Sequence, residues 1–346
     1  MVMKRILLIF LLFVLINACN SKDKGPDVSG IKAEIQLDRF EQHFFSIDTL
    51  NPENSLTDLQ KKYPDLLPIF IENILGLQDS NIYTGIKRFI RQNKFILDSV
   101  NKRFKSVDPI KKEFEQAFKH VKYYKPGYKI PRLITIIGPI DLLAQTSSGD
   151  LTPNFLGPDF LGISLQFYLG KNFSLYKDEY FITNVAPEYR SRRFDQKYIV
   201  ADAMKLVADD IFSEKSRGKG LIDQMIEKGK QWWLLDKLMP STPDSIKTGY
   251  TGVQLAWCST NEGLIWNNII INEKNINTTD PASLQTYLGE APYTQVMPQA
   301  SPGNIGQWVG WQIVKKFTEK NSSLSMEEVM NTEPQKIFEE AKYKPK

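Results

Sequence analysis

Residues 133–139 read LITIIGP and residues 162–169 read GISLQFYL. Both runs are short, apolar, and rich in β-branched or aromatic residues, and Gly138-Pro139 stops the first. Runs of this length are strands rather than helices, so the pair predicts a small sheet near the middle of the chain. Residues 145–158 between them are rich in Ser, Gly, Pro and Asn, the composition of a loop. Further upstream, Ile31, Ala33, Ile35 and Leu37 alternate with Lys32, Glu34, Gln36 and Asp38, which is the period of a half-buried strand.

Most of the remaining chain has helical spacing. Residues 56–75, 82–100 and 108–123 carry apolar side chains three and four apart, with Asp108-Pro109 as a cap and first-turn pair. Within 198–212, Ile199, Ala203, Val207 and Ile211 form a stripe broadened by Val200 and Met204, and Asp202, Asp209 and Asp210 fall outside it. Residues 221–239, 253–272, 305–320 and 333–343 complete the helical set. Few strands among many helices give an α+β class: a mostly helical single domain over 31–346 with a small central sheet.

The N-terminus points to export. Lys4 and Arg5 precede eleven apolar residues, 6–16, a run too short to span a bilayer but suited to a cleaved signal over residues 1–18. Ile16-Asn17-Ala18-Cys19 resembles a lipobox, in which Cys19 is cleaved free and acylated. Residues 19–30, polar and containing Gly and Pro, are expected to act as a flexible tether. Asn20 is not the aspartate of inner-membrane retention, and NSKDKG lacks an acidic surface-export run. The expected location is the outer membrane facing the periplasm, with the inner membrane as the alternative. With Cys19 lipidated, Cys258 has no disulfide partner, and it is read as a small buried hydrophobe. The net charge of +4 falls to +2 once Lys4 and Arg5 are lost, which argues against nucleic-acid binding.

Chemical motifs are sparse. His43 and His120 lie in different segments, so no His-x-x-x-His zinc pair exists, and neither a Gly-x-Ser-x-Gly elbow nor a phosphate loop occurs. Paired carboxylates can act as acid and base. Asp202, Asp209 and Asp210 read as a solvated helix face, while Glu262, between Trp257 and Trp266, is the stronger candidate. All six tryptophans fall late in the chain, at 232, 233, 257, 266, 308 and 311, where they serve either a core or an aromatic binding surface. In SPGNIGQWVGWQIVKKF (301–317), Gly306 and Gly310 share one helix face at a cost of about 1 kcal/mol each relative to Ala. Such a face admits either a neighbouring helix or an extended ligand. The candidate groove comprises Trp257, Glu262, Gly306, Trp308, Gly310 and Trp311; no metal ligands and no cofactor are assigned.

LDRFEQHFF, LITIIG, YLG, RRFDQKYIVADAM, LLDKLMP, WCSTNEGLIWN, PGNIGQWVGWQIVKKF and EEAKYKPK, in that order behind the lipobox, resemble the gliding-motility lipoprotein GldB family of Bacteroidetes over nearly the whole mature chain. The resemblance implies a role in gliding motility and the linked type IX secretion machinery, without catalysis, through protein partners in that apparatus and anchorage to a lipid bilayer by acylated Cys19. That family also resembles gluzincin-type zinc peptidases. Helix 198–212 here has no histidine, which implies a zincin-like scaffold without its metal site, its cleft free to bind a peptide. A periplasmic hydrolase and a sugar- or peptide-binding lipoprotein are the alternatives.

Overall fold

A computed structural model describes residues 25–78, 80–146, 149–273 and 276–346. The signal (1–18), Cys19 and the first part of the tether lie outside the described residues. Within the rest of the tether Val28 is buried, and Gly25, at φ +67°, lies against the Pro240 ring and the imidazole of His120.

The class is α+β. Strands β1 (Leu37–Arg39), β2 (Arg132–Ile136), β3 (Ala144–Gln145), β4 (Leu151–Thr152), β5 (Asn154–Leu156) and β6 (Phe160–Ser164) make two sheets. The larger has the order β1-β2-β6-β5, parallel except for the antiparallel edge strand β5, and β3 and β4 form a separate antiparallel pair. Residues 133–136 of β2 and all of β6 are buried, because a parallel strand covered on both faces must be apolar throughout. Ile134, Ile136 and Phe160 meet an aromatic cluster built on Phe40, Phe44, Tyr63 and Phe70, while Leu133, Leu161 and Ile163 enter the main core.

The principal helices are α1 (Phe40–Phe45), α2 (Pro52–Lys62), α3 (Ile82–Arg103), α4 (Asp108–Tyr124), α5 (Ile199–Ile211), α6 (Leu221–Leu238), α7 (Gly252–Thr260), α8 (Glu262–Asn272), α9 (Pro281–Leu288), α10 (Ile305–Lys320) and α11 (Pro334–Ala341), with further short helices and turns between. At the centre α6 crosses α10 so closely that Gly229 faces the backbone of Gly310 and Trp311. A side chain on either glycine would hold the two backbones apart.

Several expectations need correction. The alternation at 31–37 is real in burial, with Ala33 and Ile35 inside, but pairing starts only at Leu37 because β2, its partner, begins at Arg132. Helix 56–75 breaks at Tyr63 (φ −133°, ψ 61°), since Pro64 drives the preceding residue out of the helical region; a π-helical turn, Ile69–Ile74, follows. Asp108 is the first residue of α4 rather than its cap; Val107 occupies the cap position, without a side-chain bond. The run 162–169 is strand only to Ser164 and then a 3-10 turn, and the expected loop 145–158 contains β4 and β5. Helix 253–272 divides at Asn261 into α7 and α8.

Candidate functional site

The expected groove residues are not gathered in one place. Gly306 and Gly310 face the protein's own helices: a Cβ on Gly310 would strike the Met225 carbonyl on α6, and one on Gly306 would meet Leu288, Tyr287 and Met225. That face is therefore a helix-packing face. Trp308 and Trp311 are buried in the core, Trp311 edge-on to Trp232 and donating its indole N–H to Asp236 at 2.8 Å. Trp257 is half-buried on α7. Glu262 accepts a hydrogen bond from the Tyr343 hydroxyl at 2.8 Å, which joins α8 to the C-terminal segment. Cys258 is fully buried and its thiol is pushed up to about 12 by that burial. The core reading thus accounts for Cys258 and for Trp232, Trp233, Trp266, Trp308 and Trp311.

A different place has the character of a site. A cavity of about 210 Å³ opens between α5, α6, the start of α10 and the segments around residues 150, 190, 250 and 290. Its lining is strongly charged. Asp202 and Asp209 face it from α5, Lys228 from α6, and Arg190, Arg192 and Arg193 from the turn that precedes α5. The 301–317 segment contributes its beginning, Pro302, Gly303, Asn304 and Gln307, rather than its glycine face.

The charges fall into two groups. In one, Glu290 accepts from Arg190 through Nε at 2.8 Å and Nη2 at 2.5 Å, and it pairs with Arg193 as well. Burial pushes the Glu290 carboxyl up, but the two guanidinium groups outweigh it and hold it below the usual carboxylate range. Arg192 lies beside them and donates Nη2 to the Gly249 carbonyl at 2.8 Å, with a longer contact to Gln254 at 3.5 Å. Among the described residues no carboxylate forms an ion pair with Arg192. Burial and the neighbouring Arg193 charge lower its pKa from the ordinary arginine value. Gly249 has φ +75°, and a Cβ there would run into Arg193, so glycine is what allows its carbonyl to meet Arg192.

The second group is richer in acid. Lys205 bonds Asp202 at 2.8 Å, and the Tyr168 hydroxyl donates to the same carboxylate at 3.4 Å. Lys228 pairs with Asp150 at 3.3 Å and with Glu214 at 3.4 Å; burial lowers its pKa, but the two carboxylates reverse the sign and raise it. Asp209 accepts the backbone N–H of Glu214. Asp210 points elsewhere, to the Tyr128 hydroxyl at 2.8 Å. The two aspartates read from sequence as a solvated face, Asp202 and Asp209, are thus wall residues of the cavity.

Sequence reasoning missed the arginine group. Three arginines within residues 190–193 were a visible signal, but Glu290 lies about a hundred positions away and no spacing rule connects it to them. Among the described residues no group of three or more His, Cys, Asp or Glu side chains is placed to hold a metal ion, and no helix is long and apolar enough to cross a membrane.

Compared with known proteins, residues 21–345 match the model of one family, described as gliding motility protein GldB. No curated protein and no solved structure matches.

Proposed function

Because the chain belongs to the family of the gliding motility lipoprotein GldB, we propose that it serves motility, and the type IX secretion machinery linked to it, by binding a protein partner rather than by catalysis. The state of the cavity carboxylates carries this reading. A hydrolytic acid or base needs a carboxyl that titrates near the working pH. Glu290 is held low by two arginines and so does not meet that need. Asp202, Glu214 and Asp150 are positioned by ion pairs with lysines. Such groups are built to orient charge.

In the same reading the body is anchored by acylated Cys19 on the periplasmic side of the outer membrane. Support comes from the lipobox and from the residues after it. Protease shaving of intact cells leaves such a body uncut; its removal would place it on the outer surface instead. The likeness to zinc peptidases belongs to the proposal too, and rests on the succession of a small sheet followed by α5.

The central test is crosslinking and recovery of the full chain from intact cells, beside gliding of a deletion strain carrying either the wild-type gene or Glu290→Gln. A specific crosslinked protein, and loss of both it and gliding in the variant, is the expected result. Peptide hydrolysis by the purified chain, or one tightly bound zinc per chain by elemental analysis, would restore the enzyme reading.

A further inference from the structure

We infer that the cavity beside α5 is a binding site for a peptide carboxylate, with Arg192 as the residue that receives it. The inference rests on the binding role proposed above and names the chemistry of what is bound.

Three guanidinium groups, Arg190, Arg192 and Arg193, share one wall with a single carboxylate, Glu290. Two of them are committed to that carboxylate. Arg192 spends one nitrogen on the Gly249 carbonyl and has no carboxylate partner among the described residues, although it is half-buried. A planar guanidinium held in this way, with the rest of its donor fork uncommitted, matches the two oxygens of a carboxylate. Glu290 already shows a carboxylate received in the same wall: one of its oxygens accepts both Nε and Nη2 of Arg190, and the other pairs with Arg193.

The other half of the cavity decides between kinds of anion. Among the described residues, Asp150, Asp202, Asp209 and Glu214 line that side together with Lys205 and Lys228. A compact dianion such as phosphate would meet repulsion from that side. A ligand with a carboxylate at one end and donors or a positive group at the other suits both walls. The end of a polypeptide, with its terminal carboxylate and its backbone N–H groups, has this pattern, and the cavity's 210 Å³ admits its last residues rather than a folded surface. Trp232 lines the same cavity, so its emission reports occupancy.

The test uses the full chain in detergent, titrated with a pool of tripeptides randomised at every position, with the same pool amidated at the C-terminus, and with inorganic phosphate. The expected result is a saturable change in tryptophan emission for the free-carboxylate pool, at least tenfold weaker for the amides and for phosphate. Arg192→Gln is expected to weaken the free-carboxylate pool at least tenfold, and Arg192→Lys to weaken it less. Melting temperatures identify any variant that fails to fold, in which case Arg192→Lys carries the comparison. Equal binding of amides, preference for phosphate, no binding of the free pool at millimolar concentration, or full affinity in a folded variant would each overturn the inference. If the wild-type chain ignores peptides in solution yet still recovers its partner from cells, this inference fails and the binding role stands.

Discussion

Replacing Gly310 by Ala tests the closeness of the α6–α10 crossing, with Gly306→Ala as its internal control. Removing the mid-helix glycine at 310 by itself stabilises a helix by about 1 kcal/mol, whereas replacing Gly306, the second residue of α10, gains less. The two changes also differ in what the new methyl meets. At 306 the neighbours are Leu288 Cδ2 and the Tyr287 carbonyl at 3.0 Å and Met225 Cγ at 3.1 Å, a fit relieved when the two flexible side chains and that carbonyl each give by a few tenths of an ångström. At 310 the obstacle is the Met225 carbonyl and the backbone N of Ile226, which move only if the helices separate. Overpacking costs about 1 to 3 kcal/mol, and rigid backbone puts this case near 3; subtracting the propensity gain leaves about 2 kcal/mol lost. For a domain of this size, roughly 2 °C per kcal/mol, the Gly310 variant should melt about 4 °C below wild type and the Gly306 variant within about 1 °C of it. Gly310→Leu should be worse still. Differential scanning calorimetry of the wild type and the three variants reads this directly. Equal melting temperatures for the two alanine variants would refute the argument that backbone contact sets the cost.

Cys19→Ser should abolish incorporation of labelled palmitate, and labelled mutant protein would remove the basis for the anchor. For Glu290, whose folded pKa is depressed, the stabilisation is present above the unfolded carboxylate value of about 4.3 and disappears as pH falls through the lower folded value. Wild type should therefore exceed Glu290→Gln in urea-melt stability at pH 7, and the gap should shrink below about pH 4; a gap independent of pH would contradict the ion-pair account. Cys258, buried and with its thiol pushed up to about 12, should react with a thiol reagent only as fast as the protein unfolds, so rapid stoichiometric labelling of the native chain would contradict its placement.

The parts of the fold that were legible in the sequence are those where one local rule dominates. LITII is apolar at nearly every position because both faces of β2 are covered, and helices such as α3, α5 and α10 announce themselves by spacing over three or more turns. Misreadings arose where a tertiary partner decides. Whether residues 31–36 form a strand depends on where β2 begins, and whether 151–156 is loop or strand depends on β3 for β4 and on the edge of β6 for β5. The candidate site was less legible for the same reason. The polar face of α5 looks like any solvated helix face until Arg190–Arg193 and Glu290 join it around one cavity, and the small-residue face at Gly306 and Gly310 looks open until α6 and the end of α9 close it.

Gly25 rests on Pro240 and His120, and only five residues separate it from Cys19. With a lipid on that cysteine, a fully stretched link spans about 20 Å. A mooring that short keeps the side of the body carrying the α4 end and the turn after α6 next to the bilayer and forbids any long excursion. So anchored, the molecule would behave as a buoy on a short chain, drifting in two dimensions and swivelling about one point. A partner has to come to the membrane to meet it, and one that shares the same bilayer enjoys a raised local concentration without needing tight contacts.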